Sequence, residues 1–365
     1  MKIVTAVGAR PQFIKTVPLS RALRNFSGVK EILVHTGQHF DKNMSDVFFN
    51  ELEIQQPKYN LGINGSSHGA MTGQQLAAIE QVLIDERPDM VLVYGDTNST
   101  LAGALAAVKL HIPVAHIEAG LRSFNRKMPE EINRILTDHA ADLLFAPTKT
   151  AVNNLTNEGL REKTHFVGDI MYDAALYYAE KAEQKNDILS SLNVQPKEYI
   201  LTTVHRAENT DDPIRLQHIV RMLSRLAQKH KVVLPLHPRT RNALVQHDLF
   251  NSLTGCIIIE PVGYLDMVML EKNAQHIITD SGGVQKEAYF HKVPCITLRE
   301  ETEWVELVEL GWNKLVSPSD QINLADVLIS DSFAMRVDGN PYGDGKSAQF
   351  IVDQLRNQFQ NFISE

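Results

Sequence analysis

Short runs of β-branched and other apolar residues alternate along this chain with longer amphipathic stretches. Lys2–Val7, Glu31–Thr36, Met90–Tyr94, Pro113–Glu118 and Leu143–Ala146 are continuous enough in apolar character to predict strands buried on both faces. Between them, segments such as Gln75–Glu86 and Asn98–Leu110 carry the spacing of helices. The pattern restarts after Asp173, with strands expected at Tyr199–His205, Lys231–His237, Gly255–Glu260, His276–Thr279 and Pro294–Leu298. Strand–helix alternation of this kind predicts βαβ units and parallel sheets. Gly168, in Val167-Gly168-Asp169, interrupts the pattern, and a long helix is expected from about Asp173. The expected fold is therefore α/β, with two Rossmann-like domains facing across a cleft. Their boundaries are placed at 1–170 and 171–346, and an amphipathic C-terminal helix, about 347–365, crosses back to the first domain. No repeat of 20–50 residues and no low-complexity tract is present.

At 365 residues the chain is comfortable for two cores of ordinary size. Its net charge of −8 argues against nucleic acid as a partner, because a phosphate backbone calls for a basic surface. Only Cys256 and Cys295 occur, which supports neither a disulfide framework nor a thiolate metal site. No apolar stretch suggests a membrane span, and Arg10 interrupts any signal-peptide core, so a cytoplasmic location is expected. None of the 14 His residues sits at a metal-ligand spacing; His35 and His39 are four apart, but Gly37 stands between them. No metal is required by these patterns.

Two strand ends lead into helix starts suited to anions. Gly8-Ala9-Arg10-Pro11 follows the first strand, and Ser281-Gly282-Gly283 follows the strand at His276–Thr279. Free N–H groups and the helix dipole make such turns phosphate sites. The first lacks the G-x-G-x-x-G pattern, since Arg10 stands where close backbone approach is required, which disfavours a dinucleotide. Arg10 and Lys15 instead offer charge to a diphosphate. A cation in the first turn of a helix is unfavourable in itself, which points to a task rather than a solvated surface. Two glycines opening a helix cost about 1 kcal/mol each against Ala, which favours close ligand approach, although Ser281 alone would serve as a plain N-cap. Glu287, about one turn further on, is placed to accept hydrogen bonds from ribose hydroxyls.

Carboxylates gather at other strand ends: Asp96 in Tyr94-Gly95-Asp96-Thr97-Asn98-Ser99, Glu118 in His116-Ile117-Glu118-Ala119-Gly120, and Glu130 and Glu131 at a helix start, with Arg134 four residues after Glu130. Burying such groups is expensive, so they need partners or a task. The competing readings are that Asp96 caps its helix and that Glu130 with Arg134 is an ordinary surface pair. Glu118 is the hardest to dismiss. His205 and His237 each end a strand, a position where a single His is more often structural than catalytic.

Taken in order, GARPQFIK, YGDTNST, IEAGLR, PEEINR, HRAEN and TDSGGVQKEA resemble the motifs of the non-hydrolysing UDP-N-acetylglucosamine 2-epimerase family, over nearly the whole chain. The resemblance implies a glycosyltransferase-B-like pair of Rossmann domains, a homodimer, and inversion of a UDP-sugar at C2 without NAD, by elimination and re-addition of UDP. It also implies that Arg10, Ser281, Gly282 and Glu287 hold UDP while Lys15, Asp96, Glu118, Glu130, Arg134 and His205 surround the sugar, with Gly283 beside the UDP.

Four stretches depart from the enzymes acting on UDP-GlcNAc. Gln38-His39-Phe40-Asp41-Lys42 replaces QHREM, which puts a second, activating UDP-GlcNAc site in doubt. Thr302-Glu303-Trp304-Val305-Glu306 replaces TERPE and removes an Arg; the 123–129 loop is shorter; and His237-Pro238-Arg239-Thr240-Arg241 replaces His-x-Asn-Pro. All four look more like the branch acting on UDP-2,3-diacetamido-2,3-dideoxy-glucuronate, with Arg239, Arg241 or Arg126 as partners for a uronate carboxylate. A glycosyltransferase of the same architecture, a hydrolysing relative and a nucleotide-sugar-binding regulator are the competing readings.

Overall fold

In the computed structural model, all residues are described except 39–45, 185–186, 319–321, 330–335, 338 and 365, together with the side chains of 46–48 and 359–364. The departure at 39–42 therefore lies outside the described residues. The chain forms two compact units, Met1–Ala174 with Asn340–Glu365, and Ala175–Gly339.

In chain order the first unit runs β1 (Lys2–Val7), α1 (Arg10–Arg24), β2 (Lys30–His35), α2 (Asp46–Glu51), β3 (Tyr59–Asn60) and α3 (His68–Glu86). It continues through β4 (Met90–Tyr94), α4 (Asn98–Lys109), β5 (Val114–Ile117), α5 (Pro129–Ala140), β6 (Leu143–Ala146), α6 (Lys149–Asn157) and β7 (Thr164–Phe166). Helix α7 (Ile170–Glu183) leads into the second unit: α8 (Ile188–Ser191), β8 (Tyr199–Thr203), α9 (Ala207–Thr210), α10 (Pro213–Ala227), β9 (Lys231–Pro235), α11 (Pro238–Gln246) and β10 (Ile257–Ile259). Then follow α12 (Tyr264–Asn273), β11 (His276–Thr279), α13 (Gly282–Phe290), β12 (Cys295–Thr297), α14 (Val305–Glu309), β13 (Asn313–Leu315) and α15 (Leu324–Ile329). The last helix, α16 (Ser347–Ser364), belongs to the first unit and packs on α1.

The first sheet has the order β3-β2-β1-β4-β5-β6-β7 and the second β10-β9-β8-β11-β12-β13. Every pairing in both is parallel. The expected α/β class with parallel sheets is borne out. The central strands are buried apolar runs because helices cover both faces. Helix α4 is core rather than surface: Ala102, Ala104, Ala106 and Ala107 are fully buried in the same cluster as Val4, Val91 and Val114.

In each sheet the strand order reverses once, between β1 and β4 and between β8 and β11. Ligands in open parallel sheets bind beyond the carboxyl ends of the strands at that reversal. Gly8 to Lys15 and Asp96 lie there in the first unit, and His205 and Ser281 lie there in the second. Among the described residues no helix is long and apolar enough to cross a membrane, and no group of three or more His, Cys, Asp or Glu is arranged to hold a metal ion.

Candidate active site

In the first unit the turn after β1 is built around Gly8. A Cβ there would overlap the hydroxyls of Ser99 and Thr36, so only glycine lets α1 start this close to α4. Buried Gln12, in the first turn of α1, joins the strand ends. Its Oε1 accepts the Gly8 and Ala9 N–H groups at 2.8 and 3.0 Å, and its Nε2 donates to the Tyr94 carbonyl at 2.7 Å. This clamp sets Arg10 as the first residue of α1 and carries Lys15 one turn further in. The Lys15 ammonium meets the Glu118 carboxylate in a close ion pair, with side chains 15 % and 6 % exposed.

Glu118 is the first residue beyond β5 and holds a left-handed backbone, φ 70°. A non-glycine residue pays for that conformation, so an observed case at a strand end points to function. The Glu118 and Ala119 N–H groups both donate to the Phe145 carbonyl at 3.1 Å, which fixes the bend. Asp96, past β4, receives two hydrogen bonds from Arg134, at 2.9 and 2.6 Å. Arg134 also reaches Glu131 at 2.8 Å. Burial opposes the guanidinium charge, but the carboxylates of Asp96 and Glu131 outweigh it and raise its pKa.

The sequence pairing of Glu130 with Arg134 is not made. Glu130 is half-buried on α5 and forms no ion pair among the described residues. Glu131 instead faces inward and accepts the Ser123 and Phe124 N–H groups, each at 2.9 Å, which holds the loop before α5. Glu131, Arg134 and Asp138 share one stripe of α5 at i, i+3 and i+7, a periodicity that could have marked Asp138 as well. Gln12, His116 and Arg122 were not singled out from the sequence either.

In the second unit, buried Asp280 follows β11 and ties it to the end of β8. It accepts the N–H groups of His205 at 3.1 Å and Arg206 at 3.0 Å, and Asn209 donates to it at 3.0 Å. The His205 Nδ1 lies 3.5 Å from the same carboxylate, and its ring stands 5.5 Å from that of His237. Ser281 caps α13, accepting the Val284 N–H at 3.4 Å. A Cβ on Gly282 would run into the Glu303 carboxylate, whereas one on Gly283 would meet only ordinary contacts, Ser281 Oγ at 3.9 Å and Glu287 Oε2 at 4.0 Å. Glu287 accepts the Tyr264 hydroxyl at 3.2 Å.

Burial opposes ionisation of Glu303, and Arg299 with Arg206 outweighs it, so its carboxyl stays below the usual range. The start of α13 thus has two arginines and a carboxylate beside it, which sequence patterns did not mark. Of the proposed uronate partners, Arg239 is exposed and pairs with Asp211 at 3.2 Å, Arg241 pairs with Glu260, and Arg126 is exposed on the loop before α5.

The sequence model of the family described as UDP-N-acetylglucosamine 2-epimerase matches residues 21–356. A UDP-N-acetylglucosamine 2-epimerase homolog of Methanococcus maripaludis is 53 % identical, over 98 % of this chain and 100 % of its own. The UDP-2,3-diacetamido-2,3-dideoxy-D-glucuronate 2-epimerase of Pseudomonas aeruginosa is 51 % identical, over 97 % and 99 %. The crystal structure of Methanocaldococcus jannaschii UDP-GlcNAc 2-epimerase in complex with UDP-GlcNAc and UDP superposes with a TM-score of 0.86 at 46 % identity, covering 98 % of this chain and 100 % of that one. The chain belongs to the UDP-N-acetylglucosamine 2-epimerase family.

Proposed function

We propose that this protein inverts C2 of a UDP-2-acetamido sugar by eliminating and re-adding UDP, with no redox cofactor. The observation that carries the reading is the Lys15–Glu118 pair on a strained strand end, with Asp96 held by Arg134 at the next strand end. Breaking the C2–H bond needs a base within hydrogen-bond reach, and Asp96, Glu118 and Glu130 are the carboxylates available for it. The electron pair of that bond forms the C1–C2 double bond as the C1–O bond breaks and UDP leaves. On return, UDP oxygen re-forms the bond to C1 and a proton is delivered to the opposite face of C2. Two acidic groups, one per face, suffice for this exchange, with Lys15 and His205 completing the catalytic set.

Departure of UDP requires positive charge fixed in advance at the diphosphate. Arg10 and the start of α13, with Ser281, Gly282 and Gly283, supply charge and N–H donors of that kind. Glu287 is placed to receive ribose hydroxyls. For the sugar we favour the 2,3-diacetamido uronate, supported by the four sequence departures and the P. aeruginosa relative, with Arg239, Arg241 or Arg126 as its carboxylate's partner. The setting we propose is bacterial surface polysaccharide synthesis in the cytoplasm, by a homodimer.

NMR of the reaction in D₂O, with each UDP-sugar and no acceptor, tests the reading. Deuterium at C2 with appearance of the epimer is expected. A requirement for an acceptor would indicate a glycosyltransferase, and net release of UDP with free sugar would indicate a hydrolase. Faster turnover of UDP-GlcNAc than of the uronate would reverse the substrate assignment, leaving the epimerase in place.

A further inference from the structure

Beneath the two carboxylate-bearing turns of the first unit lies a buried relay that the reaction scheme does not use. The His116 side chain, on β5, has no exposure to solvent. Its Nδ1 lies 2.7 Å from the Asp138 carboxylate and its Nε2 lies 2.7 Å from the Gly95 carbonyl oxygen. A carbonyl oxygen and a carboxylate can only accept, so both ring nitrogens must carry protons. Asp138 accepts two further donors, Arg122 at 2.7 Å and the Gly120 N–H at 3.1 Å. Arg122 is in turn held by Glu158 through two bonds, at 2.8 and 2.7 Å. Burial alone would push the Asp138 carboxyl up, and His116 and Arg122 bring it below its ordinary value. Two cations and two anions thus compensate one another, the condition under which charge can be buried.

The relay touches both reactive turns through their backbones. Gly95 immediately precedes Asp96, and Gly120 lies two residues beyond Glu118. Each glycine takes positive φ, 62° and 82°. Other charged groups around the ring are Lys163, which interacts with Asp138, and Glu118 with Lys15 on the far side of Gly95. Resting on the epimerase reading above, we propose that His116, doubly protonated and paired with Asp138, is a positioning residue that locks the Gly95–Asp96 and Glu118–Gly120 turns in register for chemistry at C2. It does not touch substrate. Its charge holds the Gly95 carbonyl from one side while Asp138 holds the Gly120 N–H from the other, so one buried pair spaces the two carboxylates.

Asp138→Asn is the discriminating variant. An amide can still accept from Gly120 and Arg122 while donating to a neutral His116 Nδ1, so the bonds survive and the charge is lost. Unfolding midpoint and UDP affinity should stay near wild type. C2 hydrogen exchange in D₂O should fall roughly ten- to hundredfold, in kcat rather than KM, because small misplacements of reacting groups are amplified in rate. The pH profile of the rate should shift, and His116→Gln combined with Asp138→Asn should be no worse than either alone. In wild-type protein labelled with ¹⁵N-histidine, both His116 nitrogens should give protonated signals.

A neutral His116 in the wild type, or an Asp138→Asn enzyme with wild-type rate and pH profile, overturns the proposal. A wild-type protein inert toward both UDP-sugars removes the positioning role together with the reading it rests on, while the nitrogen signals still decide the charge.

Discussion

Replacing Glu118 with Gln keeps the size of the side chain and deletes the charge that Lys15 meets. If Glu118 moves the C2 proton, the Glu118→Gln enzyme should lose roughly 10²–10⁴-fold in C2 exchange while UDP affinity, read by calorimetry, stays near wild type. Equal losses in both would make the residue structural. Glu118 was legible in the sequence because a carboxylate wedged between an apolar strand and Ala-Gly has no cheap burial. Its left-handed backbone was not legible, since that conformation is imposed by the Phe145 carbonyl on a strand remote in sequence. The true partners of Arg134 were hidden for a related reason. Helical spacing points Arg134 at Glu130, whereas the planar guanidinium gains more by bridging Asp96, 38 residues away, and the inward-facing Glu131.

At the scale of elements, the helix starts carry the proposed site, and the glycine after β1 is a point of failure. Gly8→Ala places a methyl against the Ser99 and Thr36 hydroxyls, which bond each other at 2.7 Å. We expect a loss of about 1–3 kcal/mol in urea unfolding, the usual cost of overpacking a filled interior. An unchanged midpoint would show that α1 and α4 have room to part. The long apolar strands were readable because burial on both faces leaves little choice of residue. Strands β3, Tyr59–Asn60, β7, Thr164–Phe166, and β13, Asn313–Leu315, were missed because two or three residues of mixed polarity carry no periodicity. Helix α3 begins at His68, before the apolar pattern at Gln75, because its first turns are polar and glycine-containing, and Ser67 caps it.

For the molecule as a whole, three histidines set an acid response. Burial pushes the rings of His35, His276 and His291 from the ordinary 6.5 down to about 4. The unfolded chain therefore binds protons at these positions over a range in which the folded chain does not. Stability should be fully present above 6.5 and fall as the pH drops toward about 4, which urea midpoints across that window would measure. A flat response would mean that these rings are not held neutral by burial. The two-sheet architecture was legible because strand–helix alternation restarts midway. The return of the tail to the first unit is fixed by Asp173, whose carboxylate accepts the Ser347 and Ala348 N–H groups at 3.0 and 2.8 Å and so caps α16. That return has a consequence for biosynthesis. The first unit is complete only when residues 340–365 have left the ribosome, whereas the continuous stretch 175–339 has emerged by then; the half translated first is thus the last to close, and until then the face of α1 that α16 covers is open to chaperones and proteases.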